Sequence, residues 1–98
     1  MAERESMEYD VVIVGAGGHG KVVLEILRAA GLHKPVGFVD ADTSLAGQDV
    51  DGVPIIGPIN TLSKLRQQRI RGAIIAIGDN RARLRYAAVL EEHGFDLV

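Results

Sequence analysis

The feature that most restricts the fold is a glycine-rich turn, Gly-Ala-Gly-Gly-His-Gly at residues 15–20, which lies between two apolar segments. Residues 9–14 (YDVVIV) are almost continuously apolar and mostly β-branched, which is typical of a strand buried on both faces of a parallel sheet. Residues 21–30 carry apolar side chains at helical spacing, and Gly31 is suited to end that helix with a positive φ. A strand, a turn and a helix in this order predict the start of a βαβ unit.

The rest of the chain continues the alternation of strand and helix patterns. Further strands are predicted at residues 35–39, 72–77 and 95–98. Further helices are predicted from Asn60 or Thr61 to about Gln68 and over residues 81–93. Residues 41–52 are predicted as a loop and residues 53–58 as a short extended segment, whose two prolines favour an edge position. We therefore expect a small α/β domain, Rossmann-like and three-layered, with a parallel sheet of about four strands.

The helical patterns also predict which side chains face the core. In the first helix the predicted inward residues are Val22, Val23, Ile26, Leu27 and Ala30. In the last helix Leu84, Ala87, Ala88 and Glu91 form one row, and Val89 and Leu90 widen its apolar side. Right-handed crossovers place the first strand beside the strand at residues 72–77, near the middle of the sheet.

Three segments with polar or glycine residues follow the carboxyl ends of predicted strands. They are residues 15–20, 40–42 and 78–80. Ligands of open parallel sheets bind beyond these strand ends, at the point where the strand order reverses. We therefore expect the three segments to converge on one crevice.

The glycine turn matches the G-x-G-x-x-G spacing of dinucleotide-binding turns through Gly15, Gly17 and Gly20. Glycine lets the backbone approach a diphosphate closely, and the first N–H groups of the following helix then point at the anion. Asp40 is placed to accept hydrogen bonds from a ribose, and the His19 imidazole is able to donate to a phosphate or sugar oxygen. The pattern favours a nucleotide ligand over a purely structural turn, and it leaves the type of nucleotide open.

Composition excludes several classes of protein. The chain of 98 residues suffices for one domain with a single core. Its lack of cysteine excludes disulfides and thiolate metal sites and favours a cytoplasmic location. No apolar run approaches the roughly 20 residues of a membrane span, and residues 1–8 are polar, which indicates a disordered tail rather than a signal peptide.

Charge and side-chain chemistry narrow the partners further. The formal net charge is −2, acids and bases are interspersed, and the two Phe and two Tyr residues are scattered, which argues against a nucleic-acid partner. His33 and His93 have no partner at metal-ligand spacing, so no metal site is predicted. No serine lies in a nucleophile elbow and no histidine–acid pair suggests a triad, so no catalytic residue is predicted.

Four segments together resemble a known family: residues 14–20 (VGAGGHG), 37–42 (GFVDAD), 75–80 (IAIGDN) with Arg83, and 92–95 (EHGF). They are similar to the amino-terminal domain of bacterial sugar acetyltransferases of the NeuD/PglD type, over about residues 9–98. Those enzymes acetylate sialic acid or the amino group of UDP-linked amino sugars. The resemblance implies that this chain is a Rossmann-like domain that binds a nucleotide-sugar such as a UDP-amino-sugar.

The same resemblance implies a division of labour with a second domain. In the family, a following left-handed β-helix of hexapeptide repeats binds acetyl-CoA, forms a homotrimer and carries the catalytic histidine. No hexapeptide periodicity is present in this chain. We therefore expect a substrate-binding domain with no cofactor of its own, in a full-length enzyme that uses acetyl-CoA.

The residues expected at the ligand come from all three segments. They are Gly15, Ala16, Gly17, Gly18, His19, Gly20, Asp40, Asp42, Gly78 and Asn80. Asp79 is expected to cap the last helix, and Arg83 to support the adjacent loop. The family often has two adjacent acids where this chain has Asp40-Ala41-Asp42, so the sequence leaves open which acid reaches the base or ribose. Two alternatives also stay open: an NAD(P)-binding fragment of an oxidoreductase, and a non-catalytic regulatory or interaction module.

Overall fold

A computed structural model describes residues 10–31 and 33–98. Within them the elements are β1 (Asp10–Val14), α1 (Gly18–Ala30), β2 (Lys34–Val39), β3 (Asp49–Val50), β4 (Val53–Gly57), α2 (Leu62–Gln67), β5 (Gly72–Ile75), α3 (Asn80–Glu92) and β6 (Asp96–Leu97). Thr43–Leu45 and Ile59–Thr61 are short 3₁₀ helices. The disordered tail predicted for residues 1–8, and the first residue of the strand predicted to begin at Tyr9, lie outside the described residues.

The strands form one sheet in the order β3-β4-β2-β1-β5-β6. All neighbouring pairs are parallel except β3 and β4, which are antiparallel. The chain moves outward from β1 to β2 and β4 and then returns to β5 on the other side of β1, so the strand order reverses between β1 and β5. The predictions of a parallel α/β domain and of adjacent first and 72–77 strands are confirmed.

The sheet has more strands than predicted because residues 41–52 are not all loop. β3 pairs with β4 so that Val50 lies opposite Val53, and Asp51 and Gly52 connect the two strands with φ values of 48° and 90°. Positive φ at both central residues is the geometry of the tight hairpin turn that Asp-Gly favours. The edge position predicted for residues 53–58 is therefore wrong, since β3 covers that side of β4.

Two hydrophobic clusters lie on opposite faces of the sheet, and β1 contributes to both. Val11 and Ile13 belong to the cluster under α1, whereas Val12 and Val14 belong to the cluster under α2 and α3. The first cluster also contains Leu24, Leu27, Phe38, Val53, Ile55 and Ala76. The second also contains Val39, Leu62, Leu65, Ile70, Ala73, Leu90 and Phe95. This arrangement in three layers explains why β1 needs apolar side chains at successive positions.

The face that α1 buries differs from the prediction. The helix buries Gly20, Leu24 and Leu27, whereas Val22 and Ile26 are 52% and 61% exposed. Val23 is partly buried and Ala30 is exposed. The reason is the close approach of Gly20 to the end of β1, described below, which turns the row at positions 20, 24 and 27 towards the sheet.

The face that α3 buries also differs from the prediction. Ala82 and Leu90 are buried, Ala87 and Val89 are partly buried, and Ala88 is exposed. Leu84, predicted to face the core, is 73% exposed and lines an open groove beside the short edge strand β6. Among the described residues, no helix combines the length and the apolar character needed to cross a bilayer.

Candidate functional site

The glycine turn connects β1 to α1 more tightly than the sequence suggests. The helix begins at Gly18, not at residue 21 as predicted, so Gly18, His19 and Gly20 form its first turn. Gly17 is the N-cap residue, and the backbone N–H of Gly15 donates to the carbonyl of Val39 at 2.8 Å. The turn is thus fixed to the carboxyl end of β2 as well as to β1.

Two glycines of the turn are required by the fold. Gly15 has a φ of 112°, and a Cβ atom there would lie 2.6 Å from the carbonyl oxygen of Ala76. A Cβ atom on Gly20 would overlap the carbonyl oxygen of Gly15. These two positions therefore need glycine for conformation and packing, whether or not a ligand binds.

The other two glycines of the turn are not required in this way. Gly17 has a φ of −83°, which any residue adopts, and Gly18 lies within the helix. No heavy atom lies within 4 Å of a Cβ atom built on either residue. Both positions therefore open onto free space, where an incoming molecule would be able to approach the backbone without meeting a side chain.

The start of α1 also presents free hydrogen-bond donors. Within the described residues, the backbone N–H groups of Gly17, Gly18, His19 and Gly20 have no protein acceptor, whereas the N–H of Lys21 donates to the carbonyl of Gly17 at 3.1 Å. The first turn of the helix contains no acidic side chain. Unpaired N–H groups and the positive end of the helix dipole make this position suitable for an anion.

The segment after β5 lies next to the glycine turn. The N–H of Ala76 donates to the carbonyl of Val14 at 2.8 Å. A Cβ atom built on Gly78 would lie 3.8 Å from Nδ1 of His19, whose side chain is exposed. The imidazole of one segment and the backbone of the other thus form adjacent walls of the crevice predicted between β1 and β5.

Residues 79–83 are placed by the start of α3. The carboxylate of Asp79 accepts a hydrogen bond from the N–H of Arg81 at 3.0 Å, so Asp79 caps the helix as predicted. Asn80 is the first residue of the helix and is exposed, with its side chain free of hydrogen bonds within the described residues. Arg83 lines the groove beside β6 with Leu84.

The segment after β2 is held to the glycine turn by Asp40. One oxygen of its carboxylate accepts the N–H of Ala16 at 2.8 Å, and the other accepts the N–H of Asp42 at 2.9 Å. Asp40 is partly buried. The sequence suggested a ribose contact for this side chain and gave no sign that it binds the backbone on both sides.

Asp42 is exposed and caps the 3₁₀ helix that follows it. One of its oxygens accepts the hydroxyl of Ser44 at 2.6 Å and the N–H of Ser44 at 3.0 Å. These hydrogen bonds, the hydroxyl first, stabilise the carboxylate and lower the pKa of Asp42 below its ordinary value of 3.8. Asp42 therefore carries a negative charge at neutral pH.

The structure brings the three predicted segments to one edge of the sheet. Direct contacts join Ala16 to Asp40, and His19 lies against Gly78. Among the described residues, no group of three His, Cys, Asp or Glu side chains is placed to hold a metal ion. The edge therefore offers backbone donors and an imidazole, which suit an anion, beside an amide and carboxylates, which suit the hydroxyl and N–H donors of a sugar or a base.

Known proteins with a similar sequence or structure include a sugar acetyltransferase. The sequence matches the model of the PglD N-terminal domain family over residues 10–90. The structure is similar to that of a mutant of perosamine N-acetyltransferase from Caulobacter crescentus in complex with CoA and GDP-perosamine. The two are 46% identical, with a TM-score of 0.81, and the match covers 91% of this chain and 40% of that one.

A second acetyltransferase structure is also similar to this chain. The acetyltransferase domain of PglB from Neisseria gonorrhoeae FA1090, in complex with acetyl coenzyme A, is 34% identical, with a TM-score of 0.71 over 88% of this chain and 40% of that one. This chain thus spans about 40% of the length of each of these acetyltransferase chains.

A more distant structure shares only the fold. A Rex-family repressor, RSP, in complex with β-NADH is 21% identical, with a TM-score of 0.73 over 90% of this chain and 43% of that one. Comparison with curated protein sequences gave no match.

Proposed function

We propose that this chain, which belongs to the PglD N-terminal domain family, binds the nucleotide-sugar substrate of an acetyl-CoA-dependent sugar acetyltransferase. Perosamine N-acetyltransferase, its relative at 46% identity, holds both CoA and GDP-perosamine. Because this chain corresponds to 40% of that protein, we assign substrate binding to the domain described here. Acetyl-CoA binding, acetyl transfer and assembly into a homotrimer are assigned to the remainder of a longer enzyme, which we expect in the cytoplasm.

The observation that carries the proposal is the contrast among the four glycines of the turn. The fold accounts for Gly15 and Gly20, but it leaves Gly17 and Gly18 with open space in front of their Cα atoms. Glycine is common at the N-cap, where Gly17 lies, but inside a helix, where Gly18 lies, it is unfavourable unless something requires it. A diphosphate that lies against the backbone is such a requirement, since a Cβ atom would occupy the same space.

The proposed arrangement gives each segment a part of the ligand. The unpaired N–H groups of Gly17, Gly18, His19 and Gly20 donate to the diphosphate, where the helix dipole favours negative charge. The exposed imidazole of His19, beside Gly78, borders the same space. Asn80 and the second oxygen of Asp42 are left for the base, the ribose or the sugar.

The identity of the base is the part of the proposal that the comparisons change. The resemblance in sequence implies a UDP-linked amino sugar, whereas the structure at 46% identity contains GDP-perosamine. We therefore propose a nucleoside diphosphate linked to an amino sugar, with a GDP-sugar as the first ligand to test and a UDP-sugar as the second.

An NAD(P)-binding function is the second candidate, because Gly15, Gly17 and Gly20 fit the dinucleotide spacing and a Rex-family repressor that shares the fold holds β-NADH. The fluorescence of NADH during titration with the chain distinguishes the two candidate functions. The acetyltransferase proposal predicts either no enhancement or an enhancement that GDP or UDP reverses. An enhancement that neither nucleotide reverses would favour the redox function.

A further inference from the structure

The carboxylate of Asp40 joins two parts of the site that are far apart in the chain. Its Oδ2 atom accepts the N–H of Ala16, 24 residues away, and its Oδ1 atom accepts the N–H of Asp42. Both distances, 2.8 Å and 2.9 Å, are those of charge-assisted hydrogen bonds. One side chain thus links the glycine turn to the turn that begins at Asp42.

The backbone on both sides of this bridge is anchored in the sheet. The N–H of Asp40 donates to the carbonyl of Gly57 at 3.1 Å, and the N–H of Gly15 donates to the carbonyl of Val39 at 2.8 Å. Asp40 is therefore held by strand β4, and its carboxylate reaches from a fixed position to two loops. Each of its oxygens is already engaged by the protein backbone.

We propose that Asp40 is a positioning residue, which acts on the ligand through the backbone of Ala16 and Asp42 rather than by holding the ribose. The hydrogen bond to Ala16 fixes the peptide group between Gly15 and Ala16, just before Gly17, and so orients the unpaired N–H groups that follow. The hydrogen bond to Asp42 fixes the turn that presents the carboxylate of Asp42. This inference rests on the proposed function only for the identity of the ligand.

The Asp40→Asn variant tests the bridge without any ligand. The amide side chain keeps one acceptor oxygen but places an NH₂ group against the second backbone N–H, so one of the two hydrogen bonds must break and the other loses its charged acceptor. In ¹H–¹⁵N spectra of the folded protein we expect large shift changes at both Ala16–Gly18 and Asp42–Ser44. Asp42→Asn is the matched control, and its changes should stay within residues 42–46. Changes in Asp40→Asn that leave Ala16 and Gly17 unaffected would overturn the bridge.

Binding of GDP and of 2′,3′-dideoxy-GDP then separates positioning from ribose recognition. If Asp40 acts through the backbone, Asp40→Asn weakens both ligands by the same factor, about tenfold for the loss of one charge-assisted hydrogen bond. If Asp40 holds the ribose, the effect of the substitution disappears with the dideoxy ligand, which contradicts the proposal. An unchanged affinity for GDP would contradict it too.

The two readouts keep the proposals distinguishable. If the wild-type chain binds neither GDP nor its analogue, the proposed nucleotide ligand is wrong for guanosine, while the ligand-free spectra still decide whether Asp40 couples the two turns. Thermal unfolding of both variants confirms that each spectrum belongs to a folded protein.

Discussion

Helix α1 approaches the end of β1 so closely that a Cβ atom on Gly20 would overlap the carbonyl oxygen of Gly15. The overlapping group is backbone and has no flexible end that could move aside. We expect Gly20→Ala to lower the free energy of unfolding by about 1–3 kcal/mol, the range of overpacking in a tight core. Urea denaturation measures the change. A fully stable Gly20→Ala protein would show that α1 does not lie this close to β1.

Gly17 gives the opposite prediction, because the space in front of it is open. Gly17→Val should fold normally, with a free energy of unfolding within about 1 kcal/mol of wild type, and should lose nucleotide-sugar binding because the side chain fills the space proposed for the diphosphate. Glu25→Ala, an exposed substitution later in the same helix, serves as the control. Retained affinity in a folded Gly17→Val protein would contradict the proposed position of the ligand.

Much of the fold was predictable from local pattern, because burial on both faces leaves a clear signal. The apolar run of β1 predicted that strand, and the glycine after α1 predicted the end of that helix. The alternation of strand and helix patterns predicted that β1 and β5 are neighbours. The hairpin of β3 and β4 also has a signal, Asp51-Gly52 between two valines, which is typical of a tight turn. The loop prediction missed it because β3 has only two residues.

The helix faces could not be predicted from the sequence, because more apolar residues are present than the core accepts. Val22 and Ile26 fit a helical stripe as well as Leu24 and Leu27 do, and the close approach of Gly20 to Gly15 favours the row that faces the sheet. The role of Asp40 could not be predicted from the sequence either, because two interpretations fit the same residue. A carboxylate at a strand end suits a ribose as well as it suits two backbone N–H groups.

Two leucines of α3 test the corrected helix face. Leu90 is fully buried in the cluster under α2 and α3, whereas Leu84 is 73% exposed. Leu90→Ala should lower the free energy of unfolding by about 2–5 kcal/mol, and Leu84→Ala by less than about 0.5 kcal/mol. Urea denaturation of both variants provides the comparison, and equal losses would restore the face predicted from sequence.

The capping of α3 by Asp79 makes a measurable contribution to the stability of the protein. Asp79→Ala removes the acceptor of the Arg81 N–H and should lower the free energy of unfolding by about 1 kcal/mol. Asp79→Asn keeps an acceptor at the same place and should retain most of that stability. If the asparagine variant is as unstable as the alanine variant, the cap is not the role of Asp79.

The acid titration of Asp42 tests the turn after β2. Hydrogen bonds from Ser44 lower the pKa of Asp42 below 3.8, so their stabilising effect is complete above that pH and disappears as the pH falls through the lower, folded-state pKa. The Ser44 amide resonance should therefore titrate with a midpoint below 3.8. In Ser44→Ala the hydroxyl is lost and the midpoint, followed by the amide of residue 44, should rise towards 3.8. An unchanged midpoint would show that the hydroxyl does not bind the carboxylate.

Calorimetry decides whether the open glycines at the start of α1 receive the diphosphate of a nucleotide-sugar. The wild-type chain and Gly17→Val are each titrated with a GDP-linked amino sugar and with a UDP-linked one. We predict saturable binding of at least one nucleotide-sugar to the wild type and no binding of it to the folded variant. The absence of heat and of a thermal shift in the wild type with both ligands at millimolar concentration would contradict the claim.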